Sequence, residues 1–305
     1  MLDSFVGSEA LTADLKTALN SGRLANSLLI CGDDGMGRGY LARCIAADYL
    51  YKNNADGQRN VMNDTSPECI TVLGEGASGM ITVKRIRQVR YEICATAVSA
   101  QGRAVVMPAA HMLNTASANA LLKILEEPPE GVLFILCAKN AAAVMPTIRS
   151  RCCIYNIAPP SVNECTRYLK ENGVKLSDED IENAADIYGG RIGCCMELAE
   201  SRKRLDIFKQ ALQLYGACEN GDEYGINCLL AGYEKDKQGA LCILSDAVRV
   251  FETEAKKSAE NGRKKTCVQA AEAAENTQNA IFAINQNGSV KLVLCNLAAQ
   301  LAFKK

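Results

Sequence analysis

The first half of the chain alternates short apolar runs with longer segments that place apolar residues at helical spacing. The apolar runs predict strands at residues 28–31, 70–73, 104–107, 133–138 and 153–157. The longer segments predict helices at residues 38–51, 83–98 and 115–127, the last with Asn114 or Thr115 as its N-cap. Strands that alternate with such helices form βαβ units, so the pattern predicts an α/β domain with a mostly parallel sheet.

After Ala158-Pro159-Pro160 the pattern is helical only. Short helices are predicted at residues 161–172, 177–188 and 194–204, and longer ones follow from residue 206, with breaks near Asn220-Gly221, Asn261-Gly262 and Asn287-Gly288. The chain therefore divides into three predicted domains: an α/β domain at residues 1–160, a small helical domain at 161–205 and a helical bundle at 206–305.

Charge and cysteine content narrow the class of protein. The 305 residues include 34 basic and 35 acidic side chains. This balance argues against a protein that binds DNA mainly through contacts with the phosphate backbone. There are 15 cysteines and one histidine, and no two cysteines form a C-x-x-C pair. The first residues do not show the basic-then-apolar pattern of a secretory leader. We therefore expect a cytoplasmic protein whose cysteines are reduced and lie mostly in the core. No apolar run approaches the roughly 20 residues of a membrane span.

A glycine-rich segment joins the first predicted strand to the first predicted helix, which is the position of a phosphate-binding loop. In the G-x-x-x-x-G-K-[ST] pattern, backbone N–H groups wrap the phosphates, a lysine reaches the outer ones and a hydroxyl holds magnesium. Here an arginine replaces the lysine and a glycine removes the hydroxyl. The same residues also fit a turn that binds no phosphate. The candidate phosphate-loop residues are Gly32, Gly35, Gly37, Arg38 and Gly39.

The acidic residues of a hydrolytic phosphate-loop enzyme are also missing. Such acids follow a neighbouring strand, where they position magnesium and the attacking water. Residues 108–111 and 138–140, which follow two of the predicted strands, contain no carboxylate. Metal-assisted phosphoryl transfer on this chain is therefore not expected.

Two longer motifs are the most specific feature of the sequence. ANALLKILEEPP occupies residues 118–129 and PTIRSRC occupies residues 146–152. Together they resemble the AAA+ clamp-loader family, which includes the delta-prime, gamma and tau subunits of bacterial DNA polymerase III. The resemblance spans about residues 1–200. It implies an AAA+ α/β domain, a helical lid and a C-terminal collar at the three domain positions given above.

The departures from the family pattern resemble the delta-prime type, which does not hydrolyse ATP. The resemblance implies that Arg151, with Ser150 and Cys152 of the same motif, is an arginine finger for an ATP site on a neighbouring subunit. A purely structural arginine is the alternative. Asn140 corresponds to a polar sensor residue or to a strand-end cap, and Cys194 occupies the position of a sensor arginine. Residues 52–65 lack the family's zinc-binding cysteines.

The resemblance also implies partners. We expect gamma/tau-type and delta-type subunits in a hetero-oligomeric ring, indirect contact with a sliding clamp, weak or shared contact with primer-template DNA, and no membrane. No cofactor is required and no zinc is expected, while ATP binding to the altered loop stays open. The alternatives are an ATP-hydrolysing gamma-type subunit and a module that binds nucleotide only structurally. A basic cluster that could contact DNA or an acidic partner comprises Lys84, Arg85, Arg87 and Arg90.

Overall fold

Two compact units make up the chain in a computed structural model that describes residues 1–76, 78–94 and 102–303. The first unit contains Met1–Leu169 and Gly190–Cys194, and the second contains Lys170–Gly189 and Cys195–Lys305. The segment predicted as a lid, residues 161–205, is thus divided between the two units.

A five-stranded parallel sheet forms the centre of the first unit. Its spatial order is β2-β3-β4-β1-β5, and each pair of neighbours is parallel. The strands are β1 (Ser27–Cys31), β2 (Cys69–Thr71), β3 (Arg103–Met107), β4 (Val132–Ala138) and β5 (Cys153–Asn156). The predicted α/β fold class with a mostly parallel sheet is confirmed.

Helices cover both faces of this sheet. Asn114 begins one of them, α5, because its side-chain oxygen accepts a hydrogen bond from the Ser117 N–H at 2.8 Å. Part of the predicted helix at residues 83–98 lies outside the described residues. The helices of the first unit are α1 (Glu9–Asn20), α2 (Arg38–Leu50), α3 (Ala55–Met62), α4 (Val83–Cys94), α5 (Thr115–Glu126), α6 (Pro146–Arg149) and most of α7 (Val162–Glu171).

The strand period of two sends alternate side chains to two separate cores. In β1, Leu28 and Ile30 join a core with Leu41 of α2. Leu29 and Cys31 join the core on the opposite face, where α4 and α5 pack. Because both faces are covered, β1 and β4 are buried along their whole length, which explains why they are apolar except for Ser27.

The second unit is entirely helical in its described residues. Its helices are α8 (Asp178–Ile187), most of α9 (Ile192–Glu200), α10 (Arg202–Asn220), α11 (Glu223–Ala231), α12 (Lys237–Glu260), α13 (Lys264–Asn285) and α14 (Val290–Leu301). The predicted single helix at residues 194–204 is wrong. Ser201 ends α9 and caps α10, because its hydroxyl accepts a hydrogen bond from the Arg204 N–H at 3.3 Å.

A buried charge network ties α8, α10 and α12 together in this unit. Asp246 is 1% exposed and accepts hydrogen bonds from both terminal nitrogens of Arg204 and from the Tyr188 hydroxyl. Burial disfavours a charged guanidinium, but the bond to Asp246 outweighs it and raises the pKa of Arg204. In the described part of the chain, no helix is long and apolar enough to cross a membrane.

Candidate functional site

The phosphate-type loop connects β1 to α2. Gly35 and Gly37 have φ angles of +80° and +81°, a region that glycine reaches without a Cβ clash. Gly37 is the N-cap residue of α2, and Arg38 is the first residue of that helix. The loop therefore has the strand-to-helix geometry that the sequence predicts.

The Arg38 side chain folds back onto its own loop. Its Nη1 donates to the Gly32 carbonyl oxygen at 2.5 Å and its Nη2 donates to the Asp34 carboxylate at 2.6 Å. The side chain is only 14% exposed. The positive charge at the position of the phosphate-loop lysine is therefore neutralised inside the loop.

A second carboxylate in the loop, Asp33, engages two further cations. Its Oδ2 accepts a hydrogen bond from Arg191 Nη2 at 3.3 Å, and its Oδ1 lies 3.8 Å from Lys139 Nζ. Both Asp33 and Asp34 thus place a carboxylate within the loop itself. The cations around the loop are thus paired with acids of the same chain.

Residues 190–194 belong to the first unit and close over one side of the loop. The Gly193 N–H donates to the Gly35 carbonyl oxygen at 2.9 Å. The Cys194 thiol lies within 3.9 Å of the Asp34 carbonyl oxygen. The Cys194 side chain, at the position implied for a sensor arginine, therefore packs on the loop.

Asn140 lies immediately beyond β4. Its side-chain oxygen accepts a hydrogen bond from the Ala143 N–H at 2.9 Å and so caps the 3-10 turn Ala141–Ala143. Among the described residues, no group of three His, Cys, Asp or Glu side chains is placed to hold a metal ion. The sensor role of Asn140 remains a prediction beside this capping role.

Arg151 lies on a turn that the core anchors. Ile148 of α6 is fully buried, and the turn continues through hydrogen bonds from the Ser150 N–H to the Pro146 carbonyl (2.9 Å) and from the Arg151 N–H to the Ile148 carbonyl (3.0 Å). The Arg151 side chain is 37% exposed. The buried Ile148 thus anchors the turn that carries this arginine, while its side chain stays partly exposed at the surface.

Three hydrogen bonds orient the Arg151 guanidinium. Nη1 donates to the Thr147 carbonyl oxygen at 3.0 Å and to the Ser150 hydroxyl at 3.3 Å. Nη2 donates to the Glu126 carboxylate at 2.5 Å. Cys152, the next residue, packs against the core, and burial raises the pKa of its thiol to about 11.

A basic groove lies between α4 and α5, with a volume of about 520 Å³. Arg87 and Arg90 of the predicted basic cluster line it together with Lys123 and Asn119. Arg85 is instead paired with Glu92, whose carboxylate accepts from its Nη1 at 2.9 Å. The structure therefore separates the predicted cluster and adds Lys123, which sequence spacing alone did not connect to it.

The acidic side chains that pair with the arginines of both motifs were not identified from the sequence. Asp33 and Asp34 were visible as two acids inside a phosphate-type loop, and that pattern could have indicated a neutralised loop. Glu126 had no such signal, because its partner Arg151 is 25 residues away and only the tertiary structure brings them together.

Three comparisons with known proteins bear on the identity of the chain. A family profile described as DNA polymerase III, delta subunit, matches residues 7–161, just over half of the 305 residues. The chain is 33% identical to the gamma/tau subunit of DNA polymerase III from Mycobacterium tuberculosis over 188 residues, 57% of this chain and 32% of that protein. It is 28% identical to the delta' subunit from Escherichia coli over 193 residues, 60% of this chain and 57% of that protein.

A solved structure shows the same fold. A gamma subunit-related protein of Thermotoga maritima superposes with a TM-score of 0.58 at 16% identity, over 95% of this chain and 99% of that one. The chain spans about a third of the length of the gamma/tau relatives that it matches. The profile match includes the phosphate-type loop and the Arg151 turn. This chain therefore belongs to the DNA polymerase III delta-subunit family, as a delta-prime-like clamp-loader protein.

Proposed function

We propose that this chain is a non-hydrolysing clamp-loader subunit that supplies Arg151 to an ATP site on a neighbouring subunit. It completes a ring with gamma/tau-type and delta-type subunits, and the ring loads a sliding clamp onto primed DNA. The observation that carries the proposal is the exposed guanidinium of Arg151 on a turn that Ile148 anchors in the core. An arginine finger needs this combination of fixed backbone and accessible charge.

The state of the phosphate-type loop supports the non-hydrolysing part of the proposal. Arg38, Arg191 and Lys139 are all paired within the chain, and the Asp33 and Asp34 carboxylates repel added phosphate. Under this proposal the chain needs no bound nucleotide of its own. Because residues 52–65 contain no cysteine, no zinc site is proposed either.

Primer-template DNA is the partner proposed for the groove between α4 and α5. Arg87, Arg90 and Lys123 place three cations along one groove, which suits phosphate contacts and not base recognition. Because the whole chain is close to neutral, this contact is weak alone and shared with the other subunits.

Reconstitution with the ATPase subunits tests the proposal. In the assembly with clamp and primed DNA, Arg151→Ala is expected to abolish hydrolysis at the adjoining site, whereas the matched loop variant Arg38→Ala leaves it unchanged. The isolated chain is expected neither to hydrolyse ATP nor to bind labelled ATP at submillimolar concentration. If the isolated chain hydrolyses ATP and Arg38→Ala abolishes this activity, the chain is a gamma-type ATPase instead. If the isolated chain binds ATP but does not hydrolyse it, the nucleotide has a structural role.

A further inference from the structure

The proposed function explains Arg151 but not the carboxylate that contacts it. Glu126 is the last residue of α5, and its carboxylate accepts from Arg151 Nη2 at 2.5 Å. The other two acceptors, the Thr147 carbonyl and the Ser150 hydroxyl, are uncharged and belong to the same turn as Arg151. Glu126 is thus the one charged group that the described structure places on this guanidinium, and it comes from a different helix.

Helix stability does not account for a glutamate at this position. The C-terminal end of a helix carries partial negative charge, so a carboxylate there is unfavourable and a cation is favourable. The Arg151 and Glu126 side chains are 37% and 48% exposed, and an ion pair of such exposure contributes little to folding. The position of Glu126 is therefore better explained by what it does to Arg151.

The pair also engages the atoms that a phosphate would use. Guanidinium groups bind phosphate through two parallel N–H···O bonds, and both terminal nitrogens of Arg151 are already hydrogen-bonded. A γ-phosphate that approaches Arg151 must displace Glu126 or lie beside its negative charge. Because a phosphate carries more negative charge than a carboxylate, it can displace Glu126 from Arg151 once it is close. It comes close only when the subunit interface forms.

We propose that Glu126 is a positioning residue that competes with the neighbouring γ-phosphate for Arg151 and holds the finger in reserve until the subunits close. This inference rests on the proposed finger role of Arg151. Glu126 limits basal ATP hydrolysis through Arg151 and does not contact the nucleotide itself. Glu127 is exposed and has no ion pair within the described residues, so it provides a matched control for the loss of one charge.

The test is steady-state ATP hydrolysis by the reconstituted assembly, with and without clamp and primed DNA. Glu126→Gln is expected to raise the basal rate about three- to tenfold, which corresponds to about 0.7–1.4 kcal/mol. The rate with clamp and primed DNA is expected to change much less. The ratio of the stimulated rate to the basal rate is therefore expected to fall in Glu126→Gln. Glu126→Asp, which keeps the charge, is expected to restore part of the restraint, and Glu127→Gln is expected to behave as wild type.

The double variant Glu126→Gln with Arg151→Ala tests whether the restraint by Glu126 acts through the finger role of Arg151. If Glu126 acts through Arg151, the double variant has the same low rate as Arg151→Ala alone. A basal rate in Glu126→Gln that equals or falls below wild type, while Arg151→Ala still lowers hydrolysis, would overturn the reserve role alone. An unchanged rate in Arg151→Ala would overturn the finger and with it the proposed function.

A second measurement needs only the isolated full chain. An arginine-directed dicarbonyl reagent is expected to modify Arg151 several times faster in Glu126→Gln than in wild type, as followed by peptide mass spectrometry. Equal rates would contradict the ion pair in solution, whatever the assembly does.

Discussion

Arg38 and Arg151 lie in two motifs related to phosphate chemistry, but their surroundings differ. Arg38 is 14% exposed and donates to a carbonyl and a carboxylate of its own loop. Arg151 is 37% exposed on a turn at the surface, with its carboxylate partner also accessible. The same type of side chain is therefore placed in two ways: Arg38 closes its loop from within, and Arg151 remains accessible to an anion outside the chain.

Replacing each arginine by lysine is expected to give the largest contrast. Lysine keeps the charge but loses the planar fork that grips phosphate, so Arg151→Lys should slow hydrolysis at the adjoining site by about 10²-fold. Arg38→Lys should leave that rate within about twofold, because the loop contacts no neighbour's nucleotide under the proposal. Single-turnover hydrolysis, in an assembly whose other ATP sites are inactivated, measures both. Equal losses in the two variants would remove the distinction.

The closed loop predicts an asymmetry between two of its glycines. Gly35 has φ +80°, and a Cβ there would clash with Cys194, so Gly35→Ala should lower the free energy of unfolding by about 2–3 kcal/mol. Gly39 lies in the first turn of α2 with open space around it, and Gly39→Ala should raise stability by about 0.5–1 kcal/mol. Chemical denaturation checks both values. A neutral Gly35→Ala would mean that residues 190–194 do not close over the loop.

Thiols near the two motifs predict a loss of stability in alkali. Burial raises the pKa of Cys137, beside the loop, to about 12 and that of Cys152, beside Arg151, to about 11, from 9.0 in the unfolded chain. Above pH 9 the unfolded thiols release protons that the folded ones retain, so stability is full below pH 9 and falls as the pH rises through 11 to 12. The loss is up to about 1.4 kcal/mol per pH unit for each thiol.

Urea unfolding between pH 8 and pH 11 measures this slope. Cys137→Ala is expected to flatten it despite a lower starting stability, and the exposed Cys153 provides the control substitution. An unchanged slope in Cys137→Ala would contradict the burial of this thiol in the folded state.

The smallest expected effect is on the two surface ion pairs themselves. Asp34 is 75% exposed and Glu126 is 48% exposed, so Asp34→Asn and Glu126→Gln should each change the free energy of unfolding by less than about 1 kcal/mol after solvent screening. Thermal unfolding in low and high salt checks this. A larger loss in Glu126→Gln would make its pair with Arg151 a folding element and weaken its role in regulation.

Much of the fold follows from local pattern. The runs that form β1 and β4 are apolar except for Ser27 because both faces of the sheet are covered, and the capping of α5 by Asn114 is visible as a local signal. The break at Ser201 was missed although residues 200–204 are all polar and Ser201 is a typical helix-capping residue. Helical periodicity reports burial of a face, and it does not report where one helix stops and another begins.

Local patterns were enough to recognise the α/β phosphate-loop fold, the loss of the lysine and hydroxyl of an ATPase, and the intact S-R-C motif. The pairing of the charged side chains, in contrast, follows from the tertiary structure. Arg191 reaches Asp33 across 158 positions, Glu126 reaches Arg151 across 25, and Lys123 joins Arg87 across a groove. Motifs are local and can be recognised in a sequence, whereas ion pairs depend on distances that the packing of helices onto the sheet creates.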